Sequence, residues 1–209
     1  MPLIKEIIED SYRVLIWRVE ESLEDLRGDI VLREATQERF SKMKSEVHQK
    51  GFMAVRHLLS AAGYSDLDLR YDENGKPSLM DGTYISISHS FEYASIIVGM
   101  ENVGIDVEMK RDKIKRIANK FCNTVELELA ANAQDEIEVL TEIWCTKEAM
   151  FKMCGSRSLS FKDDMNVVID KDISIVNNGV FKQEFSYNVI DLENFMLVYA
   201  LEMKSYEDL

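Results

Sequence analysis

Two carboxylates spaced two residues apart, Asp106 and Glu108, are the first residues whose pattern suggests chemistry. They lie in the stretch 103–108, written VGIDVE, where β-branched residues alternate with other types. This alternation predicts a strand with one apolar face and both carboxylates on the other. Residues i and i+2 on one strand face are about 7 Å apart, so both could reach one cation. A half-buried strand with a solvated acidic face would explain the same six residues.

A second group of residues lies in the stretch 144–152, written WCTKEAMFK, within a predicted helix. Trp144, Glu148 and Lys152 follow one another at intervals of four, so they share a helix face. An ordinary Glu–Lys pair on a helix surface accounts for this spacing. Together with Asp106 and Glu108, however, Glu148 completes a set of carboxylates that suits Mg²⁺, and Lys152 would face a phosphate held by that metal. This combination is typical of phosphoryl-type transfer.

Composition limits the class of protein. The chain has 209 residues, of which 46% are hydrophobic and 30% charged, as expected for a globular protein of one large or two small domains. The net charge of −13 argues against general nucleic-acid binding. We expect no membrane span, because no apolar run approaches about 20 residues, and no signal peptide at the N-terminus. The three cysteines match no metal-ligand spacing, which predicts reduced thiols and a cytoplasmic location.

A basic segment at 110–120 stands out in this acidic chain. It contains six lysine or arginine residues and one acidic residue, Asp112. It could form a solvated helix face, or it could receive an acidic partner or a phosphate-rich ligand. The sequence leaves both interpretations open.

The elements that must position these residues indicate an α+β fold. We predict a first strand at 12–19, a short helix capped by Ser22, and one long helix from Thr36 to Ala62. The strand at 94–100 is expected to pair with the strand at 103–108 as a meander. Further predictions are strands at 67–71 and 84–90, a turn at 72–75, helices capped by Thr124 and Asp135, and β-structure from 166 to 201 with a hairpin at 177–179.

Four stretches of this sequence resemble motifs of a known family. The stretches GIDVE and WCTKEAMFK resemble the signature motifs G-x-D-[IV]-E and W-x-x-K-E-A-x-x-K of the 4′-phosphopantetheinyl transferases. The spacing of about forty residues between them, the GKP turn at 75–77 and the SISHS strand at 86–90 match the larger, Sfp-type branch. The resemblance covers most of residues 40–165, and four motifs in the family's order make it specific.

The resemblance implies an activity and an architecture. The family transfers the 4′-phosphopantetheine arm of coenzyme A to a serine of an apo acyl or peptidyl carrier protein, depends on Mg²⁺, and releases 3′,5′-ADP. Members of this size fold as two similar α+β halves related by a pseudo-twofold axis, each an antiparallel sheet with a packed helix, with the site in the cleft between them. By analogy the halves are 1–102 and 103–209, and a monomer contains a complete site. The pathway would be fatty acid or secondary metabolite biosynthesis.

The resemblance also implies roles for single residues. Glu126 matches a family glutamate near the acceptor serine, so either Glu126 or Glu148 would be the general base. The catalytic set is then Glu148, Lys152 and Glu126, and the metal ligands are Asp106, Glu108 and Glu148. Residues expected to contact coenzyme A are Lys76, Ser88 and His89 around the nucleotide and its 3′-phosphate, Lys147 and Lys152 at the phosphates, and Lys44 or Lys50 from the long helix.

Two positions depart from the expected pattern. Ser158 replaces the second glycine of a G-x-G stretch that often follows the second motif. Gly51, in the middle of the long helix, should cost about 1 kcal/mol relative to alanine. Two other functions remain as alternatives. One is a different Mg²⁺-dependent enzyme acting on nucleotide diphosphates, and the other is a catalytically silent module that binds coenzyme A or a carrier protein.

Overall fold

The computed structural model describes residues 3–28, 30–155 and 158–203. The chain forms two compact units, Met1–Glu101 and Asn102–Leu209. Each unit combines antiparallel sheet with helices, which confirms the predicted α+β class. In the described ranges, no helix has the length and apolar character needed to cross a bilayer.

The first unit is built on a four-stranded antiparallel sheet with strand order β1-β2-β6-β5, beside a two-stranded sheet of β3 and β4. Its strands are β1 (Leu3–Ile8), β2 (Tyr12–Arg18), β3 (Leu69–Tyr71), β4 (Pro77–Leu79), β5 (Tyr84–Ser90) and β6 (Tyr93–Gly99). Its helices are α1 (Leu23–Arg27), α2 (Glu34–Ser41) and α3 (Glu46–Ala61). The Ser22 cap of α1 is confirmed, because its side chain accepts a hydrogen bond from the Asp25 amide. The strand at 12–19 is the second and not the first, since β1 pairs with it.

The core of this unit lies between α3 and the sheet. Leu58 and Leu59 of α3 are fully buried, as are Leu15 of β2 and Ile96 of β6. Strand β6 is buried along its whole length and is hydrogen-bonded to β2 on one edge and to β5 on the other. The predicted meander of 94–100 with 103–108 is therefore wrong, because both edges of β6 are already occupied.

The predicted long helix from Thr36 to Ala62 is also wrong. The chain leaves the helix after Ser41, and α3 begins at Glu46, with Ser45 in extended geometry (φ −91°, ψ 122°). In one continuous helix Phe40 and Phe52, twelve positions apart, would be separated by about 18 Å along the axis. The break instead lets the two rings pack with their centroids 5.8 Å apart. Burial of Phe40 thus outweighs continuation of the helix.

The second unit is a five-stranded antiparallel sheet with strand order β7-β11-β10-β9-β8. Its strands are β7 (Val103–Met109), β8 (Met165–Val168), β9 (Ile173–Asn177), β10 (Lys182–Leu192) and β11 (Phe195–Glu202). Its helices are α4 (Lys113–Phe121), α5 (Thr124–Asn132) and α6 (Glu136–Cys154), with a short 3₁₀ helix at Ile169–Lys171. The predicted Asp135 cap of α6 is confirmed, because its side chain accepts the amides of Ile137 and Glu138.

Gly104 determines how closely α6 approaches β7. A Cβ atom at this position would lie 2.2 Å from the carbonyl oxygen of Ala149 and 2.8 Å from Cγ of Met153. No side chain fits there, so the helix backbone rests directly on the strand. The face of β7 that carries Gly104 also carries Asp106 and Glu108, because side chains alternate along a strand. Those two carboxylates therefore lie on the side of the strand that α6 covers.

We expect Gly104→Ala to lower the free energy of unfolding by about 3 kcal/mol or more, because the added methyl meets helix backbone that cannot move aside as a side chain could. Urea denaturation followed by circular dichroism measures this change. The matched control is Gly75→Ala, which has nothing within 4 Å of the new methyl and only a left-handed backbone (φ +83°) to oppose it. A smaller loss for Gly104→Ala than for Gly75→Ala would contradict the close-packing argument.

Candidate functional site

Strand β7 presents its carboxylates in a buried setting. Residues 103–107 are all buried, and Asp106 is only 5% exposed. Glu108 is half-buried. The interpretation of 103–108 as a strand with a solvated acidic face is therefore wrong. A buried carboxylate needs charged or hydrogen-bonding neighbours, and α6 provides one for Asp106.

Lys152 of α6 joins the helix to this strand. Its ammonium donates hydrogen bonds to Asp106 Oδ1 at 2.8 Å and to the carbonyl oxygen of Ile105 at 2.7 Å. Its side chain remains 28% exposed. The two signature stretches, 104–108 and 144–152, are thus in direct contact through a charge pair.

Glu148 lies one turn before Lys152 on α6 and is half-buried. Burial raises the pKa of its carboxyl to about 7, and the negative charges of Asp106 and Glu108 add to the rise while Lys152 opposes it. The structure therefore gathers three carboxyl groups and one ammonium at the contact of α6 with β7. Mutual repulsion of the carboxylates is a condition that a bound cation relieves.

The donor set is chemically suited to a hard divalent cation. All three groups are carboxylates, the ligand type that Mg²⁺ prefers. As the side chains stand, however, residues 3–28, 30–155 and 158–203 contain no group of three or more His, Cys, Asp or Glu arranged to hold a metal ion. The assignment of Asp106, Glu108 and Glu148 as metal ligands stays a prediction.

Lys147, the residue before Glu148, points into the protein interior. Its side chain is 0% exposed, and its ammonium donates to Glu126 Oε2 at 2.6 Å and to the carbonyl oxygens of Phe121 and Phe161, both at 2.8 Å. An ammonium has three N–H donors, so each has an acceptor. Burial lowers the pKa of Lys147, and the charge of Glu126 opposes that shift.

Glu126 completes this buried polar cluster, which we call the Lys147 hub (Phe121, Asn123, Glu126, Lys147, Phe161 and Val167). Oε1 of Glu126 accepts a hydrogen bond from the Val167 amide at 2.9 Å. Oε2 of Glu126 accepts one from the Asn123 amide at 2.8 Å and one from the Lys147 ammonium. In return, Asn123 Oδ1 accepts the Glu126 amide at 2.9 Å. Asn123, and not Thr124 as predicted, is therefore the N-cap of α5, in a reciprocal capping box.

The hub argues against two of the predicted roles. A contact of Lys147 with coenzyme A phosphates and a general base at Glu126 both require an accessible group, and Glu126 is 1% exposed. The hydrogen bonds of Lys147 and Glu126 instead join α6 to the end of α4, the start of α5 and Val167 of β8. The sequence N-T-V-E at 123–126 contained a usable signal, since Asn followed three residues later by Glu is typical of a capping box.

The first unit holds the remaining predicted contacts to coenzyme A. The turn at 72–75 is confirmed, with Gly75 at φ +83° and the Lys76 amide bonded to Asp72 Oδ1 at 2.8 Å. Lys76 is half-buried directly before β4. Lys44 is exposed in the break between α2 and α3, and Lys50 pairs with Glu46 at 3.5 Å.

Ser88 and His89 stand at the end of β5. Ser88 is buried and His89 is exposed. The imidazole of His89 lies against Gly51 of α3, and its ring centroid is 6.4 Å from that of His48. The roles of Lys76, Ser88, His89 and Lys44 toward coenzyme A stay predictions.

The basic segment forms α4 and the residues just before it. Lys110 pairs with Asp191 at 2.7 Å and Lys115 with Glu136 at 2.8 Å, so part of its charge is neutralised within the unit. Lys113, Arg116 and Lys120 are exposed. Helix α5 adds an exposed apolar pair that the sequence interpretation missed, Val125 at 71% and Leu129 at 39% exposure. Their i, i+4 spacing was the available signal.

The segment after α6 is described in part. Gly155 ends the helix in left-handed geometry (φ 60°). Ser156 and Arg157 lie outside the described residues, as do the ends of the two predicted halves at 1–2 and 204–209. Ser158 is exposed, and nothing in the structure assigns it a role.

Comparison with known proteins supports the resemblance found in the motifs. The family model of the 4′-phosphopantetheinyl transferase superfamily matches residues 102–194. The 4′-phosphopantetheinyl transferase AcpT of Salmonella typhi is 31% identical over 117 residues, which are 52% of this chain and 60% of that protein. The 4′-phosphopantetheinyl transferase Sfp of Bacillus subtilis (strain 168) is 25% identical over 138 residues, or 62% of each chain.

Among solved structures, the holo-[acyl-carrier-protein] synthase of Thermotoga maritima aligns with a TM-score of 0.37 and 17% identity, over 50% of this chain and 64% of that one. The chain spans about six tenths of the length of the two transferases it matches. Both sequence matches are to 4′-phosphopantetheinyl transferases, the family whose motifs the sequence resembles.

We expect Lys147→Met to lower the free energy of unfolding by about 3–5 kcal/mol, because it leaves Glu126 buried and charged without its partner. The double variant Glu126→Gln with Lys147→Met should lose less than the sum of the single changes. Urea denaturation measures all three. The control is Lys115→Met, which breaks an ion pair of similar length on the surface (side chains 40% and 41% exposed) and should change stability little. Full stability of Lys147→Met together with loss of coenzyme A binding would instead restore the predicted phosphate contact.

Proposed function

We propose that this chain transfers the 4′-phosphopantetheine arm of coenzyme A to a serine hydroxyl of an apo carrier protein and releases 3′,5′-ADP. The observation that carries the proposal is the contact of α6 with β7, where Lys152 binds Asp106 beside Glu148 and Glu108. The match to the transferase superfamily over residues 102–194 supports it. The relatives align over only part of their length, so substrate and carrier are part of the proposal.

The reaction breaks the phosphoanhydride bond of coenzyme A and forms a phosphodiester with the serine. The serine oxygen attacks the phosphorus that bears the pantetheine arm, and a new O–P bond forms. The bond from that phosphorus to the bridging oxygen of the diphosphate breaks, and its electron pair leaves with 3′,5′-ADP. The serine proton must be accepted by a base, since a neutral hydroxyl is a weak nucleophile.

The residues at the contact of α6 with β7 supply the required groups. Of the two predicted bases, Glu126 is enclosed in the Lys147 hub. We therefore assign the role of general base, which accepts the serine proton, to the half-buried carboxylate of Glu148. Asp106, Glu108 and Glu148 would hold Mg²⁺, which when bound neutralises diphosphate charge. Lys152, with its side chain 28% exposed, adds a positive charge beside the same phosphates.

The carrier partner is expected to be acidic near its serine. Lys113, Arg116 and Lys120 of α4 provide exposed positive charge for such a surface, and Val125 and Leu129 of α5 provide exposed apolar area. Opposite charges on two surfaces raise the rate of their encounter. We further propose that the protein acts as a monomer in the cytoplasm, where coenzyme A and reduced thiols such as its free cysteines occur together.

The activity is tested by incubating an apo acyl carrier protein with this chain, coenzyme A and Mg²⁺, followed by mass spectrometry of the carrier. We expect a phosphopantetheine adduct that does not form when EDTA is present. With Glu148→Gln the adduct should form at least about 100-fold more slowly, which is the usual loss of rate when a general base is removed. The matched control is Glu138→Gln, the same change ten residues earlier on α6, which should leave the rate unchanged.

Two results of this assay would favour the alternatives. Cleavage of coenzyme A with no carrier present would indicate a hydrolase of nucleotide diphosphates. Binding of coenzyme A with no adduct on acyl or peptidyl carriers would indicate a catalytically silent binding module.

We expect the triple change Lys113→Glu, Arg116→Glu and Lys120→Glu to raise KM for the carrier protein about tenfold or more at low salt, with KM for coenzyme A unchanged, because reversed charge repels an acidic partner. Steady-state kinetics at two salt concentrations measures both constants, and added salt should reduce the effect. The control is Lys171→Glu with Lys182→Glu, exposed lysines outside α4. An equal rise of the carrier KM in the control would remove α4 from the proposed docking surface.

A further inference from the structure

Gly51 occupies an unusual place for a glycine. It lies in the middle of α3 and is buried, although glycine is the least favourable helix residue apart from proline. Its backbone is helical, so no special dihedral angle requires a glycine there. The requirement comes from outside the helix. A Cβ atom at this position would lie 3.0 Å from Nδ1, 3.1 Å from Cγ and 3.4 Å from Cβ of His89.

The His89 imidazole therefore rests on the backbone of α3. A Cβ atom added at position 51 would lie 3.0–3.1 Å from two ring atoms of His89. This is closer than the separation of about 3.5–4.0 Å that is usual for non-bonded carbon atoms. His89 is exposed at the end of β5, and its side chain can turn about its own bonds, whereas the helix backbone cannot. The ring of His48, three residues before Gly51 on α3, lies 6.4 Å from it. An alanine at position 51 would displace the imidazole and leave the helix in place.

We propose that Gly51 is a positioning residue that provides the space in which α3 holds the His89 imidazole in place for a phosphate group of coenzyme A. The inference rests on the proposed function, since it assigns Gly51 a part in binding that co-substrate. An imidazole N–H that donates to a phosphate oxygen forms a charge-assisted hydrogen bond, which depends on distance and on angle. A shift of a few tenths of an ångström therefore weakens the contact without removing the donor.

The test compares Gly51→Ala with Ser60→Ala, a control at an exposed position of the same helix. Both changes favour helix formation, so both variants should melt at or above the temperature of the wild-type protein. In the carrier assay, Gly51→Ala should raise KM for coenzyme A about tenfold, because the loss is part of one charge-assisted hydrogen bond. Its kcat should stay within about twofold of wild type, since the reacting groups are untouched. Ser60→Ala should change neither constant.

A variant cycle with His89→Ala shows whether Gly51 acts through the imidazole. In the His89→Ala background, Gly51→Ala should have no further effect on KM for coenzyme A. A wild-type KM for Gly51→Ala, or an equal rise in both backgrounds, would overturn the inference. So would a melting temperature below that of wild type, because the glycine would then serve the fold. If the wild-type protein transfers no phosphopantetheine, the proposed function itself is wrong. That result is known before any variant is compared, so the two failures can be distinguished.

Discussion

The buried ammonium of Lys147 is the interaction on which the second unit depends. A charge with no exposed surface is stable only if every donor has a partner, and the three partners of Lys147 come from different parts of the chain: Phe121, Glu126 and Phe161. Since Glu126 also binds the amides of Asn123 and Val167, the position of α6 is joined to that of α5 and β8. The positions of Glu148 and Lys152 on α6 therefore depend on the Lys147 hub.

The direction of the functional side chains follows from a second constraint on the same helix. Successive residues of an α-helix point about 100° apart, so a helix held through Lys147 directs Glu148 to a different side. Gly104 allows that side to lie directly on β7, with the Ala149 carbonyl oxygen against the strand. A polar anchor on one face and a backbone contact on the other fix the rotation of α6. Glu148 and Lys152 therefore meet Asp106 without help from a flexible loop.

Much of this arrangement could be predicted from local patterns. Alternation identified β7, four-residue spacing identified the face of Glu148 and Lys152, and side-chain chemistry identified the caps at Ser22 and Asp135. What failed depended on contacts between distant residues. We predicted that 94–100 pairs with 103–108 because the two strands are adjacent in the chain. In the structure, β6 is hydrogen-bonded to β2 and β5 instead. Lysines and glutamates are rarely fully buried, so the hub at Lys147 and Glu126 had no clear local signal apart from the capping box. Whether the two units are similar halves that share a site stays a prediction.

The second signature stretch therefore contains residues with two different tasks. Lys147 serves the packing of the unit, while Glu148 and Lys152 serve the contact with β7 that carries the proposed chemistry. A descendant that lost catalysis but still had to fold would keep the lysine at 147 and the glutamate at 126. It could lose Glu148 freely, but it could lose Lys152 only if the buried Asp106 changed with it. Retention of W-x-x-K alone would thus mark a chain that folds, and loss of Glu148 together with the Asp106–Lys152 pair would mark a chain without the proposed activity.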